Sequence, residues 1–196
     1  MLLAFFRHGG NGIFAASVIG LVLWRFLGGP ALPIAGIVVG ALLFYLSEYS
    51  WRRFAFHAPP APWEWMRRLQ HRLHYDHHAE PSRLDLLFLP WWFLLPNLAG
   101  TAALVWLILG AGFVALILLG VLLSIIHYEW VHYVAHIPYQ PRTSFGRWMK
   151  HYHLRHHFIS EKLWFGVSNP TLDVLYRTYR EPRDVEKSAT VRKLYS

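Results

Sequence analysis

Residues 86–128 read LLFLPWWFLLPNLAGTAALVWLILGAGFVALILLGVLLSIIHY, a stretch of 43 residues without Asp, Glu, Lys or Arg. A helix that crosses a bilayer needs about 20 apolar residues, so this stretch has room for two. It predicts helices over about 92–109 and 111–135, hinged near Gly110 and Gly112. Pro90 and Pro96 interrupt its start, which sets residues 86–96 in the interface with Trp91 and Trp92 at headgroup depth. Two more uncharged runs, Gly9–Trp24 and Phe26–Ser47, predict helices over about 12–27 and 31–50 that turn at Gly28-Gly29-Pro30 and Pro33. The expected fold is an all-α integral membrane domain, one unit over 1–196, with four transmembrane helices in two hairpins. Gly36 and Gly40 have the GxxxG spacing that lets helices approach closely in lipid, although glycine is common in membrane helices anyway.

Composition agrees. The 196 residues are 55% hydrophobic and only 15% charged, against about a quarter charged in soluble domains. Cysteine is absent, which excludes disulfide frameworks, thiolate metal sites and cysteine nucleophiles. The net charge is +8; beside such apolar runs it points to an anionic membrane surface and not to nucleic acid. Eighteen of the nineteen Lys and Arg lie before the first span, in 51–85, or after 136, with Arg25 the exception. Both termini and the segments 51–85 and 137–196 are therefore expected in the cytoplasm. Residues 59–62 (Pro-Pro-Ala-Pro) form a rigid link before Trp63-Glu64-Trp65, which is expected along the membrane surface, and the polar tail from Pro182 is expected to fray.

The thirteen histidines are clustered. Two segments share the pattern HxxHH: His74-Tyr75-Asp76-His77-His78 and His153-Leu154-Arg155-His156-His157. Helical residues three and four apart share a face, so each trio is expected to point one way. His132 and His136 are four apart at the end of the fourth span, and His57 stands upstream. The topology puts all of them on one side of the membrane. Imidazole is a strong nitrogen donor for iron, zinc and copper, and nine or more are too many for one ion, so two metal ions are inferred. His8 and His127 read as interfacial polar residues, and His151 as a surface residue or a support to the ligands.

On these segments the sequence resembles the fatty acid hydroxylase and sterol desaturase superfamily of integral-membrane dimetal oxidases, and within it the fatty acid 2-hydroxylases. The resemblance runs from Glu48 to Tyr179. It is carried by Glu48-Tyr49, Arg53-Phe54-Ala55-Phe56-His57, the two HxxHH boxes, Tyr128–His136 and Phe165-Gly166-Val167. It implies a four-helix membrane stem with a cytoplasmic helical cap that holds two metal ions. The implied ligands are His57, His74, His77, His78, His132, His136, His153, His156 and His157. The family's first box usually has two histidines, and the upstream one falls at Arg52. His71, one turn before His74, or a water is expected in its place. Ile137 stands where many relatives have a further histidine.

The implied chemistry is dioxygen-dependent 2-hydroxylation of a fatty acyl chain, free or in a sphingolipid. Attack on an unactivated C–H bond needs a redox metal, expected to be iron; zinc has no redox chemistry and in a purified sample would be a substitution. Asp76, Glu129 and Glu161 are candidates to hydrogen-bond ligand imidazoles and fix their tautomers, or else are ordinary solvated charges. Many eukaryotic relatives carry a fused cytochrome b5 domain whose His-Pro-Gly-Gly motif is not found here. A separate donor, cytochrome b5-like, a ferredoxin or a reductase, is therefore expected. Small size and the missing fusion domain suggest a bacterial inner membrane over the endoplasmic reticulum. Three rival readings remain. A sterol desaturase or carotenoid hydroxylase would share the metal site. A zinc-dependent lipid hydrolase needs one metal, three ligands and an acidic base. A metal or haem carrier would place its histidines inside the spans.

Overall fold

A computed structural model describes residues 1–7, 10–28 and 34–195. His8, the turn residues Gly29, Pro30 and Pro33, and the side chain of Arg25 lie outside the described part. Among the described residues every regular element is helical. The chain forms α1 (Leu2–Arg7), α2 (Asn11–Phe26), α3 (Ile34–Ser50) and a π-helical turn (Trp51–Phe56), then α4 (Glu64–Gln70) and a second π-helical turn (His71–Tyr75). There follow α5 (Asp76–Ala79), α6 (Leu84–Leu87), α7 (Trp91–Leu109), α8 (Ala111–His136), α9 (Ser144–Phe158), α10 (Thr171–Leu175) and a 3-10 turn (Pro182–Asp184).

The apolar runs become helices close to their expected bounds. Gly110 breaks α7 from α8 at φ +88°, a left-handed conformation that glycine adopts without a Cβ penalty. Pro96 does not stop α7; it lies inside it, where the ring costs the helix the hydrogen bond to the Trp92 carbonyl. Among the described residues three runs are long and apolar enough to cross a membrane: Ile34–Phe56, Leu84–Leu109 and Ala111–His136. The α2 helix is apolar but shorter. Its 16 residues span about 24 Å at about 1.5 Å each, against a hydrocarbon core of about 30 Å.

The chain divides into two compact units, one of Met1–Tyr45 with Leu89–Glu129, the other of Leu46–Phe88 with Trp130–Ser196. In the first, Phe14, Leu94, Val121, Leu122 and Ile125 form the core, flanked by Val18, Phe44 and Leu98. The surface of this unit is apolar as well: Phe26, Leu104, Leu107 and Ile108 are exposed, which suits lipid and not water. A Cβ at Gly40 would strike the Ile117 carbonyl of α8, and one at Gly120 would strike the Ile37 carbonyl of α3. The GxxxG spacing is thus used: the two backbones touch where side chains are missing.

The second unit is tied together by buried polar groups. Both oxygens of fully buried Asp173 accept hydrogen bonds: Oδ2 from the Tyr152 hydroxyl and Gly166 N, Oδ1 from Phe165 N and the Thr178 hydroxyl. Glu48 accepts from Val167 N at 2.8 Å and the Ser168 hydroxyl at 2.9 Å. These two carboxylates hold the loop 165–168 in place. Gln70 donates to the Ala55 carbonyl at 2.8 Å and accepts from Ala61 N at 3.0 Å, which fixes the proline link against its own helix. The tail after Pro182 is anchored and does not fray: Val191 and Leu194 are buried, and Ser188 N donates to the Ile159 carbonyl at 2.8 Å.

Candidate metal centre

The second unit brings nine histidines together in two groups. His77, His132, His136, His153 and His157 form one; His57, His74, His78 and His156 form the other. Within each group the ligand nitrogens all lie within 4.8 Å of one another, and each group could hold a metal ion. His132 and His136 come from the end of α8, whose last carbonyls are held by a buried lysine. Lys150 Nζ donates to the carbonyls of Val134, Ile137 and Tyr139 at 3.0, 2.7 and 3.0 Å. Ile137 therefore contributes its backbone to the end of the helix.

Each HxxHH box is divided between the groups, where the sequence pattern predicted a common direction. His74 and His78 enter the four-histidine group while His77 enters the other; His153 and His157 enter the five-histidine group while His156 crosses over. The cause is helical phase. Residues four apart differ by about 40° around the axis, but adjacent residues differ by about 100°. Two adjacent histidines therefore face two neighbouring centres, and each box ties the centres together.

The rings are neutral. Burial is the chief cause that holds His57, His74, His77, His153, His156 and His157 well below the ordinary imidazole range. Burial likewise lowers His78 to about 3. Nδ1 of His78 lies 2.9 Å from the Val191 carbonyl oxygen, and Nδ1 of His156 lies 2.7 Å from that of Leu163. A carbonyl only accepts, so each Nδ1 carries the proton and each Nε2 is a bare lone pair. Yet these two Nε2 atoms are 3.2 Å apart. Two acceptors that face each other so closely call for a shared cation. His157, fully buried, has no hydrogen-bond partner on either nitrogen among the described residues. The other close Nε2 pairs are His57–His156 at 2.9 Å, His77–His132 at 3.1 Å and His136–His153 at 2.9 Å. Donors at about 2.1 Å from one ion and at right angles to each other stand about 3.0 Å apart. The donor set fits transition metals.

The remaining candidates lie elsewhere. His71 is in neither group; it is exposed and its Nδ1 meets Asp76 Oδ1 at 3.0 Å. The π-helical turn between His71 and His74 carries more residues per turn than an α-helix, so three positions do not bring His71 back to the inward face. Glu129 accepts from Leu89 N at 2.9 Å, and Glu161 from the hydroxyls of Ser188 and Thr190 at 3.0 and 2.8 Å. Main-chain carbonyls, not these carboxylates, meet the Nδ1 atoms of His78 and His156. His151 is exposed, and His127 shares a hydrogen bond of 2.9 Å with Tyr45. Lys150, Asp173 and Gln70 were not legible as supports, since a single polar residue in sequence does not announce its partner. Glu48, an acid in an otherwise uncharged helix, was the one such signal.

A cavity of about 480 Å³ has His57 in its wall, together with Arg53, Lys162, Lys193, Phe165 and Tyr195. Phe165 packs against His57 and His156 at ring distances of 5.3 and 5.6 Å.

Residues 37–178 match the family model for fatty acid hydroxylases. A dihydroceramide fatty acyl 2-hydroxylase of Arabidopsis thaliana is 30% identical over 162 residues, 76% of this chain and 63% of that protein. A fatty acid 2-hydroxylase of Rattus norvegicus is 30% identical over 142 residues, 72% of this chain and 38% of that protein. The chain thus spans less than two thirds of the length of these relatives. Full-length Scs7p, of which only the hydroxylase domain is visible, is similar with a TM-score of 0.73 at 24% identity. That match covers 91% of this chain and 66% of the Scs7p chain, and it is a likeness of fold. With the family model matched over most of its length, the chain belongs to the fatty acid hydroxylase family.

Proposed function

We propose that this chain hydroxylates carbon 2 of a lipid acyl chain with dioxygen, at a dimetal centre held by the nine grouped histidines. The observation that carries the reading is the pair of adjacent all-imidazole groups with lone pairs turned inward, in a fatty acid hydroxylase. When bound, two redox metals, iron by this reading, would supply the activation of dioxygen that an inert C–H bond requires. The relatives named above as 2-hydroxylases support the position on the acyl chain.

The protein's own part is binding and exclusion. Neutral imidazoles hold the ions without cancelling their charge. Phe165 and Phe56 shield the four-histidine group from water, the latter at 5.8 Å from the His74 ring. The cavity at His57 takes the polar end of the lipid, where Arg53, Lys162 and Lys193 favour an anionic or strongly accepting group. We assign four membrane crossings, α2 included, with 51–85 and 137–196 in the cytoplasm by the positive-inside rule, and a bacterial inner membrane as the setting. Electrons come from a separate acidic donor that docks on exposed Arg177, Arg180, Arg183 and Lys187.

Expression in a host that lacks 2-hydroxy fatty acids tests the reaction. The expected products are 2-hydroxyacyl lipids that take label from heavy dioxygen and none from heavy water. Unchanged acyl chains together with an oxidised sterol or carotenoid would overturn the substrate.

A further inference from the structure

The two histidine groups are unequal. One gathers five imidazoles and the other four. The four-histidine group is joined through His57 to the π-helical turn that carries Arg52, and the His57 N–H donates to the Arg52 carbonyl at 3.0 Å. The Arg52 side chain is 3% exposed, and its Nε and Nη2 are buried without a hydrogen-bond partner among the described residues. The side chain is a cation with five N–H donors and no acceptor. Of the nine histidines only His57 adjoins that helical turn.

We propose that the four-histidine position is the weaker metal site, filled second and emptied first, because it offers one donor fewer and one of its four ligands, His57, is held by the turn that carries the buried cation Arg52. The inference rests on the reading of the nine histidines as metal ligands. A neighbouring group of this kind shifts metal affinity by about ten- to a hundredfold. The weaker site is also the one with a ligand, His57, in the wall of the cavity, so the ion that exchanges is the one beside the route of access.

The full chain in detergent, loaded with cobalt(II), is dialysed against graded chelator; bound metal is counted by elemental analysis and followed by its visible absorption. Release in two steps is expected, the first at a chelator concentration about tenfold or more below the second. His156→Ala should remove the first step and His153→Ala should lower the second. Arg52→Gln, which removes the charge, and Arg52→His, which also adds a donor, should move the first step towards the second. An unmoved second step in both variants shows that they are folded. Release of both ions in a single step, or Arg52 variants that leave the first step in place, would overturn the inference while the dimetal reading stands. Absence of bound cobalt at either position would overturn both.

Discussion

At His78 and His156 the main-chain carbonyls of Val191 and Leu163 set the chemistry, since each holds the ring proton on Nδ1 and turns the Nε2 lone pair inward. Side-chain identity made these residues legible as metal ligands; which nitrogen is used depends on carbonyls 113 and 7 residues away. His77→Ala takes one donor from the five-histidine group and His156→Ala one from the four-histidine group. Each should weaken one ion by more than about ten- to a hundredfold, the cost of losing a ligand's hydrogen-bond partner, and abolish hydroxylation, as elemental analysis beside the lipid assay would record. The neutral rings also fix a pH dependence. His57, His74, His77, His78, His153, His156 and His157 all have folded values below the ordinary 6.5, with His78 at about 3. Below 6.5 the unfolded chain binds protons that the folded chain refuses. Stability is therefore full above that value and falls as pH drops towards the folded values. The metal-free protein should melt at a lower temperature at pH 5 than at pH 7.5; an equal or higher Tm at pH 5 would contradict neutral rings.

Helices decide where those residues point. The HxxHH spacing announced a candidate ligand box, but the common direction expected of each trio ignored the angle between adjacent positions, and the structure sends neighbours to different histidine groups. At the end of α8, Lys150 satisfies the Val134 carbonyl that the helix leaves open and those of Ile137 and Tyr139 in the chain just beyond it. Lys150→Met keeps the apolar stem and removes the donor, so it should destabilise the protein by about 1–3 kcal/mol in thermal unfolding in detergent. The same variant should reduce bound metal, because His136 lies in the turn those bonds hold. Where α3 meets α8, Gly120→Val would place carbon against the Ile37 carbonyl. A rigid backbone contact cannot yield as a side chain does, so a loss of about 1–3 kcal/mol or more is expected in the same measurement.

For the molecule as a whole, the distribution of Lys and Arg predicts one face for all the chemistry. Reporter fusions near Pro60 and after Tyr195 should both score cytoplasmic; an external signal from either would break the assigned topology. Sequence alone established that the chain is helical and apolar enough for a membrane, because uncharged length is a one-dimensional property, and it singled out the nine histidines because their spacing follows the helix repeat. It could not divide five from four, nor leave His71 outside both groups, nor show that the polar tail folds back so that Val191 meets His78 and Glu161 holds Thr190. Nor could it reveal that Arg52, which stands where the family has a histidine, is a buried charge with two donors unpartnered among the described residues. Those facts depend on the phase of each helix and on contacts between segments about a hundred residues apart. A residue's type is written in the sequence; its direction and its neighbours are properties of the packed chain.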